Sequence, residues 1–329
     1  MRRFLLAAIG SRRRNVWAAV IVSILVIGVV AFYLANRERP YDPNFDTRVA
    51  EPAFQTDHPR AFFDEAHRNR HTTATAYKPF ADLIRNDGYD VLTLQQSITP
   101  ERLSGFSVLI IVLPRGTNDA NDAPAFNEAE AAAVDQWVRS GGALLLIADH
   151  FPFGAAVGSL GRRFDVDVGN GIVEDPKHHE PDLGDSHLIF SRENGLLREH
   201  PITQGRNRAE RVERILTFTG TSLRGPAEAA AFLSLSDSAV DRPASAPNVQ
   251  KVGGDVRVTM NYGDPVPAFG RAQALAFDVG KGRVVVLGDA GMLSAQRNGR
   301  GDSPVGMNFP GYDNRQLALN IMHWLSRLL

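Results

Sequence analysis

Apolar residues are arranged along this chain in three patterns. Short continuous runs, Ser107 to Leu113 (SVLIIVL) and Ala143 to Ala148 (ALLLIA), are bounded by Gly, Pro or Asp. Runs of this kind read as strands covered on both faces, the habit of a parallel sheet. Stripes with helical spacing form the second pattern. In Asn127 to Ser140 the apolar positions Ala131, Val134, Trp137 and Val138 share one face behind an Asn cap and an acidic first turn. In Asp313 to Leu328 the residues Leu317, Ile321, Trp324, Leu325 and Leu328 do the same. Lys78 to Asn86 reads as a helix with Pro79 in its first turn, and Thr99 caps a short one ending at Leu103. With Arg60 to Asp64 and Tyr89 to Leu94 as further strands, the order predicts a doubly wound, mainly parallel α/β sheet from residue 59 onward.

The third pattern is one unbroken run, Val16 to Ala35, long enough to cross a bilayer as a helix. Arg2, Arg3, Arg12, Arg13 and Arg14 precede it, so the positive-inside rule keeps residues 1–15 in the cytoplasm and exports everything after Ala35. The expectation is a single-pass cell-membrane anchor at 16–35 and a tether at 36–58. The domain at 59–329 is then extracytoplasmic, periplasmic in a Gram-negative cell. A signal peptide cleaved after Val29-Val30-Ala31 is the alternative.

Later regions are less regular. Residues 165–212 read as a loop-rich insertion, and residues 239–254 as a surface loop. Strand-like runs return at Ile215 to Thr219, Ala230 to Leu235 and Val256 to Met260. A hairpin follows, Gln273 to Val279 and Arg283 to Leu287, turning at Gly280-Lys281-Gly282.

Composition narrows the chemistry. The formal charge is -1 with no basic stripe in the body, which argues against a nucleic-acid partner. There is no cysteine, so thiol nucleophiles, thiolate metal sites and disulfides are excluded. Neither Ser222 nor Ser303 has the G-x-S-x-G context of a serine hydrolase.

Polar residues concentrate at predicted strand ends: Asp64 to His71, Arg115 to Asp119, Asp149-His150, and Gly288-Asp289. Parallel strands would bring these loops to one edge, where α/β sheets bind ligands. There His67 and His71, with Asp64, form a candidate set for zinc or manganese. Asp149 and Glu65 are candidate catalytic carboxylates, and Arg115, His150, Asp289 and Arg315 candidate ligand contacts. The plainer alternative is that these groups hydrogen-bond within their own loops. Phe151 and Phe153, around Pro152, either line a pocket wall or pack their loop down.

The segment Trp137 to Ala148, in which a helix leads through Gly141-Gly142 into an apolar strand, resembles the class I glutamine amidotransferase-like superfamily. The resemblance implies a flavodoxin-like three-layer sandwich. In active members a cysteine would stand near Ala148 or Asp149, and a His-x-Glu pair would follow a late strand. Here the late strand runs into Gly288-Asp289-Ala290-Gly291 and no cysteine exists, so glutaminase activity is excluded. The similarity is to a divergent branch, some members of which bind partners or sugars. Two functions are therefore expected: a module that binds a small molecule or envelope component through its polar crest, or a metal-dependent hydrolase using the His/Asp cluster.

Overall fold

Alternation of side chains along five apolar strands divides this protein into layers. Arg60–Asp64 (β1), Asp90–Leu94 (β2), Val108–Val112 (β3) and Ala143–Ile147 (β4) pair in parallel. Asp167–Val168 (β5), Leu223–Arg224 (β6), Ala230–Ser234 (β7), Ala272–Val279 (β8) and Gly282–Leu287 (β9) complete the sheet. Its order is β2-β1-β3-β4-β9-β8-β6-β5, with β7 also paired to β8. The first five are mutually parallel, and β5 to β8 join by antiparallel pairing. These assignments come from a computed structural model that describes residues 41–118, 123–245, 248–252, 255–259, 261–298 and 303–329. The expected cytoplasmic segment 1–15, the anchor 16–35 and the start of the tether lie outside them. Among the described residues, no helix is long and apolar enough to cross a membrane.

One face of the sheet presents Ala61, Phe63, Ile110, Leu145, Ile147 and Val285 to Lys78–Asn86 (α1) and the last helix; the other presents Phe62, Leu109, Ile111, Leu144, Leu146 and Val286. Each fully buried side chain of this size contributes about 1.5–3 kcal/mol, which is why strands this short hold together. After Pro100–Leu103 (α2), Glu128–Arg139 (α3) covers the second face with Ala131, Val134 and Val138. A capping box starts α3: Asn127 accepts from the Glu130 N–H at 3.0 Å, and Glu130 accepts from the Asn127 N–H at 3.1 Å.

Phe153–Arg162 (α4) also covers this face, through Ala156, Val157 and Leu160. No helix was expected there, because Gly154, Gly158 and Gly161 depress helix propensity. The glycine at 154 serves packing: a Cβ on it would stand 1.9 Å from the Gly169 carbonyl oxygen. A short helix, Pro201–Gln204 (α5), sits in the irregular insertion. The chain closes with Asn314–Leu325 (α6), which stops short of Leu328, and Leu328 is exposed.

Two other segments differ from expectation. Within 239–254, Val240–Arg242 pairs with Ile172–Glu174 and Val266–Pro267, and Asn248–Val252 pairs with Asp255–Thr259. The described part of the tether, 41–58, contains neither helix nor strand, yet it is bound to the domain as a strap. The Asp42 N–H donates to the Ala295 carbonyl at 2.7 Å, and Phe45, Val49 and Phe54 pack on the core.

Candidate functional site

Because β1, β3, β4 and β9 are parallel, their carboxyl ends share one edge of the sheet. The chain passes from β1 to β2 on one side and then to β3 on the other, and this reversal of order opens a crevice. A cavity of about 840 Å³ lies there. Arg70, His71, Leu113 and Arg115 line it from the loops after β1 and β3. Asp149, His150, Phe151, Pro152 and Phe153 line it from the segment after β4. His187 comes from the irregular insertion, Phe218 and Thr219 from the segment that follows it, and Gly291, Gln296 and Val305 from beyond β9.

Two of the lining residues hold backbone conformations that L-residues seldom adopt: Leu113 at φ 42° and Thr219 at φ 66°. Such conformations cost about 1–3 kcal/mol each and cluster at working sites. At Leu113 the neighbours hold the strained backbone in place. Its carbonyl accepts from the Arg70 N–H at 3.0 Å, and its own N–H donates to Ile147 at 3.1 Å.

The register Ile147↔Leu287 carries forward to bring Asp149 and Asp289 to adjacent strand ends. Asp149 accepts from the N–H groups of His150 at 2.7 Å and Ala290 at 3.1 Å. Asp289, with no exposed surface, accepts from those of Phe218 and Met292, each at 2.6 Å. Burial pushes the Asp149 carboxyl up to about 7, although both N–H donors and Arg70 pull it down. Burial and the Asp149 charge push Asp289 up to about 8 against its own donors. Burial of both groups, and the repulsion between their charges, favour the protonated forms at neutral pH. The hydroxyl of Tyr77 closes the floor, donating to the Ala290 carbonyl at 2.8 Å.

The imidazoles of the cavity are neutral. Burial, with the Arg70 and Arg115 charges, pushes His71 down to about 4. Burial likewise lowers His150, whose Nδ1 donates to the Phe151 carbonyl at 2.9 Å, and His187.

Of the residues singled out from sequence, Arg115, His71, Asp149 and His150 meet in this cavity, with Asp289 beside Asp149 beneath it. The others do structural work. His67 donates from Nδ1 to Asp64 at 2.8 Å and from Nε2 to Glu130 at 3.1 Å. Burial opposes charge on this ring, but Asp64 and Glu130 outweigh it and hold the His67 pKa above the usual value. The second oxygen of Asp64 takes the Asn69 amide at 3.1 Å. With both ring nitrogens of His67 engaged, the expected His67, His71 and Asp64 metal set is not assembled. No other group of three or more His, Asp or Glu suited to a metal ion occurs among the described residues.

Glu65 is likewise spent on its own loop, accepting from the Thr73 N–H at 2.8 Å and hydroxyl at 2.7 Å, so it does not face Asp149. Arg315 binds the strap through the carbonyls of Asp46 at 3.3 Å and Arg48 at 2.6 Å. Asp313 stands at the cap position of α6, but its side chain accepts from the N–H groups of Glu213 at 2.7 Å and Arg214 at 3.0 Å.

Sequence reasoning missed Arg70, although its place beside His71 after a strand was a usable signal. His187 carried none, because its region has no periodicity from which orientation could be read, and the strand-like run holding Phe218 and Thr219 had no visible tie to the sheet edge.

No family model and no curated protein matches the chain. Solved structures do. The mmIFT52 N-terminal domain aligns with a TM-score of 0.57 at 17% identity, over 81% of this chain and 97% of that one. A cytoplasmic protein of Salmonella typhimurium, STM3548, aligns at 0.43 and 12% identity over 81% and 98%. A ThuA-like protein from Bacteroides uniformis aligns at 0.37 and 15% identity over 84% and 95%. The chain thus has the fold of the mmIFT52 N-terminal domain, a mixed α/β sandwich on a mainly parallel sheet.

Proposed function

We propose that this protein is a membrane-tethered, extracytoplasmic ligand-binding module that takes a small molecule or envelope component into the cavity at the carboxyl edge of its sheet. It is a divergent relative of the class I glutamine amidotransferase-like superfamily in which the nucleophile position is given over to Ala148 and Asp149. The observation that carries the reading is the cavity itself: four strand-end loops converge on about 840 Å³ beside a proton-holding carboxyl pair and two strained backbone positions. Concave sites with a few convergent polar groups are the usual seats of ligands.

The metal-dependent hydrolase has less support, since His67 is held between Asp64 and Glu130 and Glu65 is held by Thr73. The anchor rests on the apolar run 16–35 and its preceding arginines.

Thermal shift of the full chain in detergent, against a broad panel of polar metabolites, tests the binding role. At least one compound should raise the midpoint, and His150→Trp, which fills the cavity from its rim, should abolish the rise. A panel without effect, or one unaffected by His150→Trp, refutes the reading. Protease added to intact spheroplasts should digest the domain, and a protected domain would refute export.

A further inference from the structure

Resting on that reading, we propose that the ligand is a monoanionic carboxylic acid, its carboxylate held by Arg70 and Arg115 and its body laid against Phe151, Phe153 and Phe218. Most arginines here are spoken for: Arg271 pairs with Asp167 at 2.7 Å, and Arg242 with Glu174 at 2.5 Å. Among the described residues neither Arg70 nor Arg115 forms a close ion pair with a carboxylate, although the Arg70 charge reaches Asp149, and both line the cavity. Both also press their charge on His71, so the two guanidinium groups act on one neighbourhood. A guanidinium fork matches a carboxylate in bidentate geometry.

Charge favours an acid. Both arginines are cationic, and burial pushes Asp149 and Asp289 toward their neutral forms, so the cavity meets an anionic ligand with net positive charge. A phosphate dianion brings twice the charge toward the same carboxyl pair, which repels it as that pair ionises.

The groups facing the carboxyl pair do not disturb the balance. His71 from the loop after β1, His150 beside Asp149, and His187 from the irregular region are neutral because burial lowers all three. Tyr77, below the floor, and Tyr262 stay protonated, since burial raises both. Rising pH ionises the carboxyl pair, brings the cavity toward neutrality, and weakens binding of an acid that stays ionised throughout.

Titration calorimetry on the full chain in detergent, with matched aromatic carboxylates, carboxamides and phosphate esters (benzoate, benzamide, phenyl phosphate and ring-substituted analogues of each), tests this. A carboxylate should bind at least tenfold more tightly than its amide and its phosphate counterpart. Its affinity should fall about tenfold between pH 6 and 9. Arg70→Gln with Arg115→Gln should cost at least tenfold while leaving the unfolding midpoint in place. Equal affinity for acid and amide, a preference for the phosphate ester, or undiminished binding by the double variant overturns the inference. Binding of amides alone overturns it and leaves the binding module standing. If no compound of any class binds, while the metabolite panel also fails, both readings fall.

Discussion

Asp149 and Asp289 each stand two residues beyond the end of a strand, and the two strands are neighbours. The consequence appears in stability. An acid whose folded pKa is raised stabilises the fold fully below its ordinary value of 3.8, and that stabilisation is lost as pH climbs through about 7 for Asp149 and about 8 for Asp289. His71 and His200, both pushed down to about 4 by burial, act with the opposite sign and cost stability as pH falls from 6.5. The two effects offset one another between pH 4 and 6.5. Above that window only the losses remain, and deprotonation of His67, whose pKa is raised, adds to them. The free energy of urea unfolding should therefore fall by about 2 kcal/mol between pH 6.5 and 8.5. Asp149→Asn should roughly halve the fall, by removing one acid and relieving Asp289 of its charge. Stability that rises across this window would contradict the buried-pair account.

At the scale of elements, α3 does more than cover the sheet. Glu130 closes its capping box, accepts from the Ile98 N–H at 3.1 Å and receives His67, so one side chain ties the helix start to two strand-end loops. Asn127→Ala removes only a cap and should cost about 1 kcal/mol. Glu130→Ala leaves the buried His67 to Asp64 alone, opens the capping box and orphans the Ile98 N–H, and should cost about 3 kcal/mol or more by chemical denaturation. Equal costs would mean that His67 draws nothing from Glu130. The strap has a comparable reach. Buried Asp42 accepts from the Asn308 amide at 3.1 Å and pairs with Arg297 at 3.1 Å, while the same amide donates to the Gln296 carbonyl at 3.0 Å. Gln296 lines the cavity, so the connection toward the N-terminus braces one of its walls. In Asp42→Ala, amide exchange should quicken in 294–298 and 305–308 while β4 stays protected. Unchanged exchange there would show that the wall stands without the strap.

On the scale of the whole molecule, both apolar faces of one sheet are covered by helices drawn from distant parts of the chain. α6, near the C-terminus, packs with β1 and α1 in one core, and α3 and α4 form the other. Strands contribute alternate residues to both cores, so neither can be lost alone. Trp324 reports on the first core and Trp137 on the edge of the second. In variants carrying Trp17→Phe and keeping one of these two indoles, both fluorescence signals should change at the same urea concentration. Separate midpoints would mean that the two layers unfold independently.

Much of this architecture was legible in the residues. The apolar runs at β3 and β4 read as strands buried on both faces, and β9 as one arm of a hairpin. The Asn127 cap and the stripe of α3 left one way to place that helix, and parallel pairing then obliged Asp149, Asp289, His71 and Arg115 toward one edge. These are local facts, because periodicity and capping depend on neighbours a few residues away. What each polar group does there was settled only in three dimensions. His67 looked like a metal ligand until Glu130, distant in sequence, took its second nitrogen. Arg315 looked like a ligand contact until the strap crossed its path. Helix α4 was hidden by its glycines, of which Gly154 is required by close contact with Gly169. A side chain's chemistry is written in its identity, but its partner depends on contacts made between residues far apart in the chain, which no local pattern encodes.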